Sequence, residues 1–421
     1  MARKEKIKSF DYYNPYTLEW GNEIDFPSSR NVKQYGNRVY NRYPARSICL
    51  VPRAILSHQA DRKLNVLDPF MGSGTTAVET VLSGNVPYGL EMDPFARMVA
   101  EVSSSIFTGE ELIAMRDTFN TICANWIDFE SEHIPQLTGI ERWFKDGDLY
   151  LLLKLKSAIL SLSPQRFLPF FLVTFADAIK PVSLMERQSL KPYISTKYAK
   201  ITKDVLSSFM YSFEAHMLAM QEMSSCGHTH QNINWLGDDA TCFESEGIID
   251  LAITSPPYIN ALDYTRCIKV ESALCGTIDN SAAKGLRAKQ VGHERRRNQD
   301  INKTVANLFQ PYYDVILELD KQRAETCRAY FNDMHKNLQC VFNALKPTGE
   351  YHIIIGDNTI KGIDIPTHDL IRELAIYIGY ESFGYYCYEI KDHRTSIPRN
   401  NSKRKIDYEH VIMLRKPRNI I

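Results

Sequence analysis

The stretch LNVLDPFMGSGTTAVETVLSGNVPYGLEMDPFARMVAE, beginning at residue 64, restricts the fold more than any other part of the chain. A short apolar run meets a glycine-rich turn, a helical pattern follows, a second apolar run ends in acids, and another helix begins. That is the start of a βαβ series. Strand signals resume at INWLGDD (233–239), IDLAITS (249–255) and EYHIIIGDN, and the chain closes on ESFGYYCYEIKD and DYEHVIMLRK. The expected fold class is α/β: a Rossmann-like, doubly wound, mostly parallel sheet with a terminal antiparallel pair.

Two segments do not fit that alternation. Residues 109–229 are rich in helical patterns and poor in glycine, and read as a helical insert, with target recognition as its expected role. Residues 277–322 form a smaller basic insert, in which 282–303 reads as a mobile or partner-ordered loop. The catalytic domain is then discontinuous, 1–108 and 230–421. Lys and Arg number 50 against 50 Asp and Glu, so a nucleic-acid partner needs a local basic surface. Nine cysteines without a C-x-x-C pair, and an N-terminus too polar for a secretory leader, fit reduced thiols in a cytoplasm. FLPFFLVTFADAI (167–179) is too short to span a bilayer and reads as core, so no membrane is expected.

The turn itself carries chemistry. Asp68, Pro69, Phe70, Gly72, Gly74 and Thr75 lie between strand and helix, where glycines let the backbone approach a ligand. Gly72, Gly74 and Ala77 also satisfy G-x-G-x-x-A, the dinucleotide pattern. Glu91 at the end of the second strand can accept hydrogen bonds from both ribose hydroxyls. A pyrophosphate does not favour a nearby anion, whereas the Asp68 carboxylate suits an amino-acid ammonium. S-adenosylmethionine therefore fits better than a nicotinamide dinucleotide.

At the end of the fourth strand stand Ser255, Pro256, Pro257 and Tyr258. Paired prolines stiffen the loop and leave carbonyl acceptors free. An exocyclic nucleobase amine is a poor nucleophile because its lone pair is delocalised into the ring. Acceptors aimed at its N–H groups, here the Ser255 hydroxyl and the Pro256 carbonyl, favour a pyramidal nitrogen, and Tyr258 offers a stacking face. In a duplex the base must flip out. The chain has no Pro-Cys dipeptide, which disfavours cytosine C5 chemistry.

These motifs resemble the amino-group DNA methyltransferases, in particular the S-P-P-Y branch associated with N4-cytosine methylation. LDPFMGSGTT is similar to the cofactor motif, GLEMD to the ribose acid, and TSPPYINALDYTR to the catalytic motif, here in unpermuted order. The resemblance implies that YNRYPARSICLVPRAIL, with Tyr43 and Pro44, walls the methionine end of the cofactor. It also implies a G-D-A aspartate on the adenine. The local sequence is Gly237, Asp238, Asp239, Ala240, and Asp238 is the expected contact. The implied partners are double-stranded DNA and a cognate restriction endonuclease. N6-adenine methylation is the alternative; a glutamine or RNA methyltransferase, a nicotinamide oxidoreductase and a non-catalytic DNA-binding subunit fit the residues less well. Arg295, Arg296 and Arg297, and Arg394 and Arg399, are the expected phosphate contacts. Cys226, His228, His230 and Cys242 lack closed zinc-site spacing, and no metal is expected.

Overall fold

A computed structural model describes residues 6–8, 13–28, 31–59, 62–187, 189–197, 199–259, 262–294, 300–391 and 406–418. Strands in chain order are β1 (Lys6–Lys8), β2 (Asn22–Asp25), β3 (Asn65–Asp68), β4 (Val86–Leu90), β5 (Asn234–Gly237), β6 (Ile249–Thr254), β7 (Leu345–Gly356), β8 (Asn358–Ile360), β9 (Ile363–Ile365), β10 (Glu381–Glu389) and β11 (Tyr408–Arg415). β8 and β9 form a separate hairpin, and the other strands form one sheet in the order β1-β2-β10-β11-β7-β6-β3-β4-β5. From β7 to β5 every pairing is parallel. β11 lies antiparallel to both β7 and β10, which realises the expected terminal antiparallel pair.

Helices α1 (Leu50–Ser57), α2 (Thr75–Leu82) and α3 (Pro94–Ser103) belong to the first βαβ region. The helical insert contains α4 (Gly109–Asn125), α5 (Asp148–Leu162), α6 (Leu168–Val182) and α7 (Val205–Ser224). Then come α8 (Tyr264–Leu274), α9 (Asn280–Lys289), α10 (Lys303–Leu319), α11 (Lys321–Ala344) and α12 (Thr367–Ile378). All six residues of β6 are buried, as expected for a parallel strand covered on both faces. The α3 start is fixed locally: Asp93 accepts from the Phe95 and Ala96 amides, and Pro94 supplies a helical φ at the first position.

The insert shares its core with the sheet's helices. Phe170, Phe171 and Phe213 from α6 and α7 join Phe95 and Val99 of α3 and Ile268 of α8 in one buried apolar cluster. The apolar tract at 167–179 is therefore core, within α6, and among the described residues no helix is long and apolar enough to cross a membrane. One reading needs correction. The stretch 282–303 is helical as far as Lys289, because Asp279 caps α9 by accepting from the Ala282 amide. Arg295, Arg296, Arg297, Arg394 and Arg399 lie outside the described residues.

The order of the sheet locates the site. From β3 the chain crosses to β4 on one side, and later returns to β6 on the other. Such a reversal opens a crevice at the carboxyl ends of the two strands, where ligands of doubly wound folds bind. Asp68 closes β3 there, and Ser255 follows β6.

Candidate active site

A cavity of about 980 Å³, including its open mouth, occupies this crevice. Its wall includes Tyr43, Asp68, Pro69, Phe70, Gly72, Thr75, Glu91, Asp238, Ser255 and Pro257, so ten of the residues singled out from sequence converge on one space. Pro44, Gly74, Pro256 and Tyr258 do not line it. Gly74 has a packing role instead. Its φ is +87°, and a Cβ there would stand 2.8 Å from the Ala100 Cα, so it lets α2 start against α3.

Asp68 ties the two halves of the crevice together. Its Oδ1 accepts from the Thr254 hydroxyl at 2.6 Å and from the Phe70 amide at 3.0 Å, joining the ends of β3 and β6. Burial raises its pKa to about 6 against the lowering effect of these hydrogen bonds. Glu91 braces the glycine turn: one oxygen accepts from the Gly72 amide and the other from the Asp93 amide, both at 2.8 Å. Burial, with the nearby Asp93 charge, raises Glu91 to about 7. Each carboxylate oxygen has a second lone pair, so Glu91 keeps acceptor capacity towards the cavity.

The two aspartates after β5 differ. Asp239 accepts from both the amide and the hydroxyl of Thr241, at 2.8 and 2.7 Å, and so stabilises its own turn. Asp238 makes no hydrogen bond among the described residues, and its exposed carboxylate lines the cavity. The wall also presents two buried acceptors without partners, Asp93 Oδ2 and Gln290 Oε1. They suit a ligand that brings donors.

Tyr258 stands apart from the cavity wall. Its hydroxyl donates to Oε1 of Glu409 on β11, whose Oε2 accepts from the Tyr388 hydroxyl. The residue is half-buried, with its phenol end tied to the sheet. Sequence reasoning missed this tether, since Glu409 has no motif around it. It also assigned no role to Tyr264, Thr265, Gln290 and Val291, although all line the cavity beside Lys289. Tyr264 was visible as the continuation of TSPPYINALDYTR, and Lys289 as part of a basic run. His230 is occupied structurally, with Nδ1 accepting from the Ile106 amide and Nε2 beside Asn232.

No protein-family model matches the chain. It is 23% identical over 399 residues to the type II methyltransferase M.MvaI of Kocuria varians, covering 88% of this chain and 87% of that protein. Against M.AvaI of Anabaena variabilis the identity is 22% over 411 residues, with 85% and 81% covered. Against M.BsoBI of Geobacillus stearothermophilus it is 22% over 253 residues, with 54% and 50% covered. Among solved structures, the rRNA methyltransferase aviRa of Streptomyces viridochromogenes overlays at a TM-score of 0.33 and 10% identity, covering 93% of this chain and 96% of that one. That overlay is too loose to bear on the site. All three of these relatives bear the name type II methyltransferase.

Proposed function

We propose that the chain is an S-adenosylmethionine-dependent DNA methyltransferase of a restriction–modification system, and that it methylates the exocyclic N4 of a flipped cytosine. The observation that carries this reading is the convergence of Asp68, Glu91 and Ser255 on one cavity at the sheet's switch point. When bound there, S-adenosylmethionine supplies the methyl group. Asp68 holds its ammonium, Glu91 its ribose hydroxyls and Asp238 its adenine amine. Tyr43, whose ring lies 3.3 Å from where a Cβ of Gly72 would stand, closes the wall over the turn.

Catalysis then rests on orientation. The Ser255 hydroxyl and Pro256 carbonyl accept from the amine hydrogens and direct the nitrogen lone pair into the cavity, and Tyr258 stacks on the base. Serine, a short neutral group, favours cytosine over the wider adenine. The test is to incubate the protein with S-adenosylmethionine and DNA, digest to nucleosides, and identify the product by mass spectrometry. N4-methyldeoxycytidine is expected. N6-methyldeoxyadenosine would move the target base while leaving the amine chemistry intact, and 5-methyldeoxycytidine would overturn both.

A further inference from the structure

The end of α9 and the turn after it grip the chain that leads out of the SPPY loop. Gln290, Val291, Gly292 and His293 are all buried, although they follow a helix into a turn, where backbone ordinarily runs over the surface. Gln290 Nε2 donates to the Leu262 carbonyl at 2.9 Å. Val291 shares a buried apolar cluster with Ile259. Gly292, at φ +75°, stands so close to Tyr258 that a Cβ there would come within 2.6 Å of the Tyr258 carbonyl oxygen. Arg287 Nε and His293 Nε2 lie 3.2 and 3.7 Å from Oδ2 of Asp263. The other oxygen of Asp263 accepts from the Arg266 amide at 2.8 Å and so caps α8.

We propose that this turn is a latch on the catalytic loop, and that Gln290 and Gly292 are positioning residues for methyl transfer, a role that rests on the DNA methyltransferase reading. The loop is held at its start, where the Thr254 hydroxyl donates to Asp68. The latch fixes its far limb at Tyr258, Leu262 and Asp263. With both limbs held, the Ser255 hydroxyl, the Pro256 carbonyl and the Tyr258 ring keep one arrangement around the amine, and in-line transfer depends on that orientation. The residue types in the turn support this role. Gln290 is 5% exposed and its Oε1 has no hydrogen-bond partner among the described residues, a desolvation cost that a methionine of similar size would avoid. What the amide adds is the donor to Leu262. Gly292 adds the absence of a side chain, since any other residue would press on the Tyr258 carbonyl and strain its own backbone. The cofactor contacts proposed for Asp68, Glu91 and Asp238 come from the ends of β3, β4 and β5, so the latch can be loosened without removing them.

The test measures single-turnover methyl transfer from labelled S-adenosylmethionine to unmodified genomic DNA, both saturating, alongside calorimetric affinity for the cofactor. In Gln290→Met the rate should fall by at least about tenfold, while the Kd for S-adenosylmethionine stays within about threefold. Gln290→Glu tests the donor itself. Burial favours the protonated acid near pH 6, where its O–H can replace the amide N–H towards Leu262, so there it should transfer at least about fivefold faster than Gln290→Met. Restored packing alone would not give that recovery, because methionine already fills the space. Gly292→Ala should also slow transfer with cofactor affinity kept. Full-rate transfer by Gln290→Met or Gly292→Ala, a Gln290→Glu chain as slow as Gln290→Met near pH 6, or a loss confined to cofactor affinity would each overturn the latch. An unsubstituted chain that transfers no methyl group to DNA would overturn the methyltransferase reading and the positioning role together, whereas one that methylates DNA no faster than its variants keeps the function and loses the latch.

Discussion

Asp68 and Glu91 have opposite effects on folding and on binding, and that opposition can be measured. Their pKa values rise to about 6 and about 7 because burial disfavours the anions. The folded state therefore holds protons that the unfolded state has released, and stability falls as pH rises from about 4 to 7. Cofactor binding needs the anions, so its affinity should rise over the upper part of the same range. Calorimetry with S-adenosylmethionine and thermal melting of the free protein, run from pH 5.5 to 7.5, should give opposite trends; parallel trends would mean these carboxylates are not the ones that titrate. Asp68→Asn should remove the part of both trends near pH 6. Tyr258 supplies a second prediction. Tyr258→Ala should leave cofactor affinity nearly intact and slow methyl transfer by about 1–3 kcal/mol, the value of stacking on a base. Tyr258→Phe keeps the ring and removes only its tether to Glu409, so its single-turnover rate should fall less. Full turnover in the alanine variant would give Tyr258 a packing role only.

At the scale of elements, the turn between β3 and α2 shows what a glycine motif does in this chain. Gly72, at φ +52°, brings its amide to Glu91, while Gly74 clears space for Ala100. Gly74→Ala would add a Cβ both in a left-handed conformation and within 3 Å of α3. It should cost at least about 1 kcal/mol, seen as a lower thermal midpoint. Ala100→Gly in the same chain should recover only a small part of that cost, since it removes the contact with the Ala100 Cβ at 2.9 Å but neither the 2.8 Å approach to the Ala100 Cα nor the strained φ. The βαβ start was legible because strand and helix periods, turn and acid occur in one short stretch. The SPPY loop was legible because paired prolines are a rare end to an apolar strand. β1 and β2 were not: Asn22–Asp25 is NEID, short and polar, and joins the sheet only because β10 offers it an edge. α9 was hidden by its charge, which resembles a solvated loop until the Asp279 cap is seen.

At the scale of the whole molecule, charge sets the terms on which DNA can be held. With 50 basic and 50 acidic residues the chain has no net field to draw in a polyanion, so affinity must come from local basic groups. α9 ends at the cavity wall with Lys289, and Arg295, Arg296 and Arg297 follow a few residues later in sequence. A basic run that starts at the cofactor cavity is suited to gripping phosphates beside a flipped base, an interaction that positions the strand without reading its sequence. For each phosphate no longer neutralised, the slope of log affinity against log salt should fall by about 0.9. Replacing the three arginines with alanine should therefore weaken binding to all duplexes alike and flatten the slope by up to roughly 2.7, with S-adenosylmethionine affinity unchanged. Fluorescence anisotropy across a salt series on two unrelated duplexes measures both quantities. An unchanged slope would make the arginines a solvated face, and a loss confined to one sequence would make them readers of bases.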